Sequence, residues 1–366
     1  MAEFHLTTEA YGWLLSGLAL AYAAAAPLTG TLLDRLGLNK GSSLAVGAWS
    51  VCCAATSLVQ GFAGLVAARV GLGMLESAGV PAAGKMSATY LRPSERAVGA
   101  AINQVGLSLG GILAPILVYW MLARNYSWRA PFIVAGGLGL LWVPLWLLVA
   151  RLIPPTPPTV PESGRFDGPA WRDRRMLILG GVNMLYMSTY VAWSNFTTLL
   201  LTQRFHETAK SAAAYAWFPP VAASLGGFAG GWLSMRLIRA GVDPVEARTR
   251  AVLVAAVGCL VTLAVPLAPN TLLATLLIGA SYFATVAGSV NIYTIPLDLF
   301  GAKAAATATS VLITAYGLLQ IVLSPVIGKL VDRYGFGPVC VLVAFPPLLA
   351  YLLLRFGITP VSRNRA

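Results

Sequence analysis

The sequence contains very little charge for its length. Only 10% of its 366 residues are Asp, Glu, Lys or Arg, and 57% are hydrophobic, whereas soluble domains carry about 25% charged residues. So little charge cannot cover the surface of a water-soluble fold of this size, which excludes that class. Most charge-free runs are about as long as the roughly 20 apolar residues that a helix needs to cross a bilayer. The chain is therefore predicted to be an all-α polytopic membrane protein.

Residues that carry common chemistries are also scarce. The four cysteines fall inside apolar runs and form neither a disulfide framework nor a zinc-binding spacing. The glycine-rich stretches lack the following Lys-Ser/Thr of a nucleotide-binding loop, and the two histidines lie in loops. These absences argue against an enzyme, against a metal or other cofactor, and against pumping driven by ATP.

The apolar runs divide into about eleven transmembrane spans. The run 251–297 is too long for one helix, and the sequence PLAPN at 266–270 indicates a turn inside it. The span at 66–91 is apolar although it carries three charges. The predicted spans are 10–33, 43–62, 66–91, 97–120, 130–150, 176–203, 211–235, 251–266, 271–297, 304–328 and 336–354.

The basic residues indicate how the spans are oriented. The formal charge of +12 does not predict nucleic-acid binding, because the Lys and Arg residues are spread over separate loops. Most of them fall in alternate loops and in the C-terminal tail, as the positive-inside rule requires of cytoplasmic segments. We therefore expect a cytoplasmic C-terminus in a multi-pass protein of a cell membrane, most simply a bacterial inner membrane, with the lipid bilayer and no nucleic acid as partner.

Two halves of the chain resemble each other. Residues 151–175 are rich in proline and charge and are predicted to form a cytoplasmic linker. An N-terminal bundle at 1–150 would then hold five spans, and a C-terminal bundle at 176–366 would hold six. The sequence GTLLDRLGLNK at 30–40 has a weaker echo, GWLSMRLIRAG, at 231–241, as in transporters built from internal repeats.

The segment 30–40 also resembles the loop signature of the major facilitator superfamily. RVGLGMLESAGVP at 69–81 and LRPSERA at 91–97 are similar to helix four and the following loop in its anion:cation symporter branch. QVG at 104–106 and WRAPF at 128–132 resemble the same branch, with Gln104 where Asn is expected. The resemblance implies two pseudo-symmetric helical bundles that transport sugar acids or other organic anions, often with protons, and that usually work as monomers.

The chain departs from the family at its start. In the family the signature follows helix two, whereas here a single span precedes it, and LTTEAYGWLL at 6–15 is typical of the approach to helix two. The first half would then correspond to helices 2–6 and the second half to helices 7–12. The missing helix supplies an Asp-Arg pair in this branch. A misassigned start, a truncated relic and a functional eleven-helix form all remain open.

The charges of the third span predict a transport site. Charged residues at mid-helix cost about 2.5–3.5 kcal/mol each on insertion scales, yet this span contains Arg69, Glu76 and Lys85. Arg69 and Glu76 are two helical turns apart and share a face. We predict that Arg69 attracts an anionic substrate and that Glu76 takes up the coupling proton; the alternative is a structural ion pair. Lys85 is closer to the cytoplasmic end and could reach the interface.

Further residues are predicted to open the cytoplasmic mouth or to line the substrate. Asp34 is expected to pair with or cap a neighbouring helix end, although the same residues could form only a solvated turn that ends at Gly37. Amide and phenol groups could bind a hydroxylated acid, although such groups also join membrane helices. The predicted gating residues are Gly30, Asp34, Arg35, Gly37 and Lys40, and the predicted substrate-binding residues are Arg69, Gln104, Asn183, Tyr186, Tyr190, Asn291 and Tyr293.

The sequence favours secondary active transport, namely proton-coupled symport of a small organic anion such as a sugar acid or carboxylate by alternating access. One alternative is proton-driven efflux of drugs or metabolites on the same fold. A basic residue in the cavity disfavours export of cations, which argues against that alternative. Another is a truncated membrane protein that does not transport.

Overall fold

The computed structural model describes residues 8–153, 173–207, 215 and 217–358. This part of the chain is helical and contains no β-strand. Its helices are α1 Thr8–Leu36, α2 Leu38–Ala55, α3 Phe62–Glu76, α4 Gly79–Tyr90, α5 Arg96–Ala123, α6 Ala130–Leu152, α7 Arg174–Tyr186, α8 Ser188–Phe205, α9 Phe218–Arg239, α10 Pro244–Gly258, α11 Thr271–Ile292, α12 Ile295–Tyr334, α13 Phe336–Ala344 and α14 Pro346–Gly357. Two 3₁₀ segments, Thr56–Leu58 and Cys259–Leu267, extend α2 and α10.

In the described residues, each predicted span overlaps one helix or two consecutive helices. Residues 211–214 and 216 of the seventh predicted span lie outside the described residues. Within the described residues, nine segments are long and apolar enough to cross a membrane. The helices α1 and α5, of 29 and 28 residues, match the two remaining spans. The prediction of an all-α polytopic membrane protein is confirmed.

The ends and the continuity of several spans differ from the prediction. The second span begins at Leu38 rather than at 43, because Gly37 adopts a positive φ of 80° and ends α1 there. Spans three, six, nine and eleven are each interrupted, after Glu76, Tyr186, Ile292 and Ala344. The turn at 266–270 is present, and Asn270 caps α11 by accepting a hydrogen bond from the Leu273 amide at 2.9 Å.

One compact unit comprises Met1–Tyr90, Leu109–Pro158 and Ala302–Gly317. Glycines allow its helices to approach closely. A Cβ on Gly73 would lie 2.5 Å from the Leu18 carbonyl oxygen, and one on Gly136 would lie 2.5 Å from that of Ser50. The helix pairs α1–α3 and α2–α6 therefore pack backbone against backbone, as small residues permit in membrane helices.

A second compact unit comprises Leu91–Ser108, Thr159–Gly301 and Leu318–Ala366. The segment Ala302–Gly317 of α12 thus belongs to the first unit, and α12 kinks at Gly301, where φ is 67°. The bundles predicted at 1–150 and 176–366 remain a prediction. Most of the proposed linker, residues 154–172, lies outside the described residues.

The closest helix packing in this second unit joins α9 to α11. Gly226 and Gly230 are four residues apart on α9, the spacing of a small-residue contact motif. A Cβ on either glycine would lie 2.0 Å from a carbonyl oxygen of α11, that of Phe283 or of Ala287. No side chain can move aside to relieve such a contact, because the opposing atoms are backbone.

Gly230→Ala is therefore expected to destabilise the protein by about 3 kcal/mol, the upper end of the usual cost of overpacking. The measurement is the apparent melting temperature of the purified protein in detergent. Gly137→Ala on α6 is the matched control, since no atom lies within 4 Å of its added Cβ. Equal melting temperatures for the two variants would contradict the packing of α9 on α11.

Candidate functional site

The two charges predicted to carry transport lie on one uninterrupted helix. α3 runs from Phe62 to Glu76 without a break, so Arg69 and Glu76 are about 10 Å apart along its axis. Arg69 is half-buried and its guanidinium carbon lies 5.7 Å from the centre of the Phe132 ring. Glu76 is exposed. Within the described residues, no salt bridge joins Arg69 to Glu76. The structure therefore does not contain an ion pair between these two residues.

The third span breaks directly after Glu76. α3 ends there, Ser77 and Ala78 are buried in a turn, and α4 begins at Gly79. The Ser77 hydroxyl donates to the Met74 carbonyl at 2.6 Å and shares a hydrogen bond of 3.0 Å with the Thr29 hydroxyl on α1. This break was not predicted, although Gly79 and Pro81 follow it and proline cannot donate the helical hydrogen bond to the residue four positions earlier.

Asp34 is held by a cluster of donors at the end of α1. Its carboxylate accepts hydrogen bonds from the Ala306 amide at 3.3 Å, from the Thr307 amide at 2.8 Å and from the Thr307 hydroxyl at 2.7 Å. The Lys85 ammonium lies 2.7 Å from the same carboxylate. We call these four residues the Asp34 cluster. The expectation that Asp34 caps a neighbouring helix is confirmed, since Ala306 and Thr307 follow the Gly301 kink of α12.

The other predicted gating residues divide into two groups. Gly30 packs tightly, because an added Cβ would lie 2.8 Å from both the Ala306 carbonyl oxygen and the Ser310 hydroxyl. Gly37 ends α1. Arg35 and Lys40 are exposed and are outside the Asp34 cluster. The cation of the cluster is instead Lys85, which is 6% exposed and which the sequence analysis placed at the membrane interface.

A second charged cluster lies within the second compact unit. Asp298 pairs with Arg96 at 2.8 Å and with Arg248, which is fully buried. Arg248 also donates to the Pro93 carbonyl at 2.5 Å, and Arg96 donates to the Leu297 carbonyl at 3.1 Å. We call Asp298, Arg96 and Arg248 the Asp298 cluster. The cluster was not predicted, because Arg96, Arg248 and Asp298 are far apart in the sequence.

The predicted substrate-binding residues of α7, α8 and α11 and of the turn after α11 differ in burial. Tyr190 and Tyr293 are half-buried, whereas Asn183, Tyr186 and Asn291 are fully buried. The Asn183 side-chain amide donates to the Tyr293 hydroxyl at 3.4 Å. Tyr190 is half-buried, and its ring centre lies 5.0 Å from that of Tyr282. The structure thus joins Asn183 to Tyr293 and places Tyr190 beside a second phenol. Gln104 on α5 is half-buried.

Tyr186 and Asn291, in contrast, hold helices together. Tyr186 is fully buried, donates to the Ala284 carbonyl at 3.2 Å and lies against Gly288 of α11. The Asn291 amide donates to the Gly230 carbonyl on α9 at 3.1 Å and to the Ala287 carbonyl at 2.9 Å. Contact of these two residues with substrate remains a prediction.

No metal site is evident in the part of the chain that the structure describes. Among these described residues, no three or more His, Cys, Asp or Glu side chains lie close enough together to hold a metal ion. The four cysteines are free thiols.

Comparison with known proteins identifies relatives along almost the entire chain. A model of the Major Facilitator Superfamily matches residues 1–314. The hexuronate transporter of Escherichia coli strain K12 is 28% identical over 97% of this chain and 86% of its own length. The galacturonate transporter of Dickeya chrysanthemi is 29% identical over 64% of this chain and 72% of its own length.

A solved structure has the same architecture. The crystal structure of the E. coli fucose:proton symporter matches with a TM-score of 0.71 and 14% identity, covering 95% of this chain and 91% of that chain. At this identity the likeness concerns the fold alone. The predicted major facilitator fold is confirmed.

Proposed function

Because the chain belongs to the Major Facilitator Superfamily, a family of transporters rather than enzymes, we propose that it carries a sugar acid across a membrane together with protons. Relatives named as hexuronate and galacturonate transporters support a sugar acid as the substrate. The observation that carries the proposal is that Arg69 and Glu76 lie on one face of α3, two helical turns apart and without a salt bridge between them. An anionic substrate needs a cation, and proton coupling needs a group that can exchange a proton.

Glu76 suits proton exchange because it is exposed and forms no salt bridge within the described residues. A carboxylate facing lipid in mid-span would be costly, so an exposed Glu76 favours an aqueous path to this side chain. Arg69 would attract the substrate carboxylate, since a guanidinium can donate two parallel hydrogen bonds to it. Substrate binding beside Glu76 would then depend on the protonation state of that residue.

The hydroxyl groups of a sugar acid require neutral donors and acceptors. Tyr190, Tyr293 and Asn183 provide phenol and amide groups within one unit, and Gln104 provides a further amide. We propose these four residues, rather than Tyr186 and Asn291, as the first candidates for hydroxyl recognition. The hydrogen bonds of the latter two already join α7 to α11 and α9 to α11.

The Asp34 cluster would serve as the cytoplasmic gate of an alternating-access cycle. Its carboxylate holds α1, α4 and the segment after Gly301 together through one ion pair and three further hydrogen bonds. Inward opening would require these bonds to break. The distribution of Lys and Arg favours a cytoplasmic location for this end of the protein and for the C-terminus. We expect a monomer in a bacterial inner membrane.

Uptake of labelled galacturonate into proteoliposomes, with and without an inward proton gradient, tests the proposal. Accumulation above the external concentration is expected only when the gradient is present. Uptake that does not respond to the gradient would rule out proton coupling. Failure of galacturonate to compete with any transported organic anion would rule out the substrate class.

A further inference from the structure

Lys85 supplies the positive charge of the Asp34 cluster. Its ammonium lies 2.7 Å from one carboxylate oxygen of Asp34, and the two side chains are only 8% and 11% exposed. The remaining donors to this carboxylate are the Ala306 amide, the Thr307 amide and the Thr307 hydroxyl, all of them neutral. Removal of Lys85 would therefore leave a buried carboxylate without a counter-charge, which is strongly unfavourable.

Lys85 lies on the same span as the proposed transport residues. α4, which carries Lys85, follows α3 after the two-residue turn at Ser77 and Ala78. α1 is joined to this span at two points, through the hydrogen bond between Thr29 and Ser77 and through the ion pair between Asp34 and Lys85. A movement of α4 that begins at the break next to Glu76 would therefore act directly on Asp34.

The packing of α4 leaves little room for independent movement. A Cβ on Gly84, the residue before Lys85, would lie 2.5 Å from the Thr309 hydroxyl. Gly30 on α1 similarly contacts Ala306 and Ser310. The segment that follows the Gly301 kink is thus in close contact with α1 and with α4. A shift of α4 would disturb the hydrogen bonds that Ala306 and Thr307 donate to Asp34.

We propose that Lys85 is a positioning residue that couples the state of Glu76 to the opening of the Asp34 cluster. Loss of the charge of Glu76 shifts α4 at the break, withdraws the Lys85 ammonium from Asp34 and weakens the cap on Ala306 and Thr307. The titratable groups that interact with Glu76 are Arg69 on the same helix and the Cys53 thiol on α2. This inference rests on the proposed role of Glu76, and it adds the route to the gate.

Hydrogen–deuterium exchange of the full-length protein measures the opening of this cluster without any substrate. The amides of Ala306 and Thr307 donate to Asp34, so their exchange reports whether the cap is formed. Lys85→Met is expected to raise their exchange rate by about fivefold or more, the lower end of typical couplings between sites. Lys85→Arg should restore slow exchange. Arg239→Met, which removes an exposed cation at the end of α9, should leave it unchanged.

A double-mutant cycle then tests the coupling. In the wild-type background, Glu76→Gln is expected to raise the exchange rate of the Ala306 and Thr307 amides. In the Lys85→Met background, Glu76→Gln is expected to change this rate no further. Equal effects of Glu76→Gln in both backgrounds would overturn the proposal. If Lys85→Met does not give monodisperse protein, Lys85→Gln replaces it in the same cycle. Absence of galacturonate uptake with this coupling intact would refute the proposed function and leave the role of Lys85 standing.

Discussion

Glu76→Gln is expected to abolish the accumulation of galacturonate driven by a proton gradient while preserving exchange of labelled for unlabelled substrate. Glutamine has nearly the same shape and still forms hydrogen bonds, but it cannot release a proton. Exchange across the membrane requires only that the loaded carrier change its orientation. Net accumulation requires the proton to be carried and released. The measurement is the ratio of internal to external substrate in proteoliposomes, which should fall to about one.

The control for this prediction removes an exposed carboxylate elsewhere. Asp332→Asn alters an exposed acid near the end of α12 and should leave accumulation intact. Yield and elution profile in detergent separate a functional loss from a folding defect. Loss of exchange together with poor yield in Glu76→Gln would indicate that Glu76 has a structural role. Undiminished accumulation would contradict its role in proton coupling.

Asp34→Asn is expected to slow net transport strongly while leaving substrate affinity nearly unchanged. The substitution retains an acceptor for the Ala306 and Thr307 amides but leaves the buried Lys85 ammonium without its counter-charge. Breaking a buried pair by removing one partner costs about 3–5 kcal/mol. A loss of 3 kcal/mol corresponds to roughly a 100-fold shift between closed and open forms. Turnover measured by uptake, and affinity measured by calorimetry in detergent, test the two halves of this prediction.

Asp243→Asn is the matched control, because Asp243 also caps a helix. It accepts hydrogen bonds from the Val245 and Glu246 amides at 3.0 and 3.1 Å. Asparagine caps helices about as well as aspartate does, so this variant should transport at the wild-type rate. Wild-type turnover in Asp34→Asn would defeat the assignment of Asp34 to the gate.

The sequence was sufficient to predict the approximate positions of the spans, though not their breaks, and the contact of Asp34 with a neighbouring helix. Span lengths follow from the thickness of the bilayer, which limits every apolar run in the same way. The signature places a carboxylate near the C-terminal end of α1, and the amide donors that it meets belong to Ala306 and Thr307 of another helix. Both predictions depend on local pattern, and both agree with the structure.

The sequence was not sufficient to predict the partners of that carboxylate. Lys85 is 51 residues from Asp34 and Thr307 is 273 residues from it. No spacing rule within one helix can connect such positions. The Asp298 cluster was missed for the same reason, since Arg96 and Arg248 come from different helices. Long-range ion pairs require the packing of helices to be known first.

Polar residues inside spans were the hardest to interpret. Tyr186 and Tyr190 lie one turn apart on adjoining helices, yet Tyr186 is buried against Gly288 and Tyr190 is partly accessible. Asn291 similarly donates to the Gly230 carbonyl across a helix contact and to the Ala287 carbonyl of its own helix. An amide or phenol satisfies the same periodic pattern in either role. In the structure, the hydrogen bonds that Tyr186 and Asn291 make to neighbouring helices identify them as packing residues.

The internal repeat is preserved in packing and altered in charge. Gly30 meets the backbone of Ala306, and Gly231, its counterpart in the echo of the signature, meets the backbone of Ala97 with a Cβ distance of 2.9 Å. Four residues after Gly231, however, the chain has Met235 in place of an aspartate. In that unit the carboxylate is provided by Asp298. The sequence repeat therefore predicts the glycine contact and not the ion pair.

The proposed transport mechanism requires that water reach the Glu76 side chain. The measurement is labelling of Glu76→Cys by a membrane-impermeant thiol reagent, in a background in which Cys52, Cys53, Cys259 and Cys340 are replaced by alanine. We predict labelling from one side of the membrane, protection by galacturonate, and increased labelling from the cytoplasmic side when Asp34→Asn is added. A cysteine at this position that stays unlabelled from both sides in every variant would contradict the account.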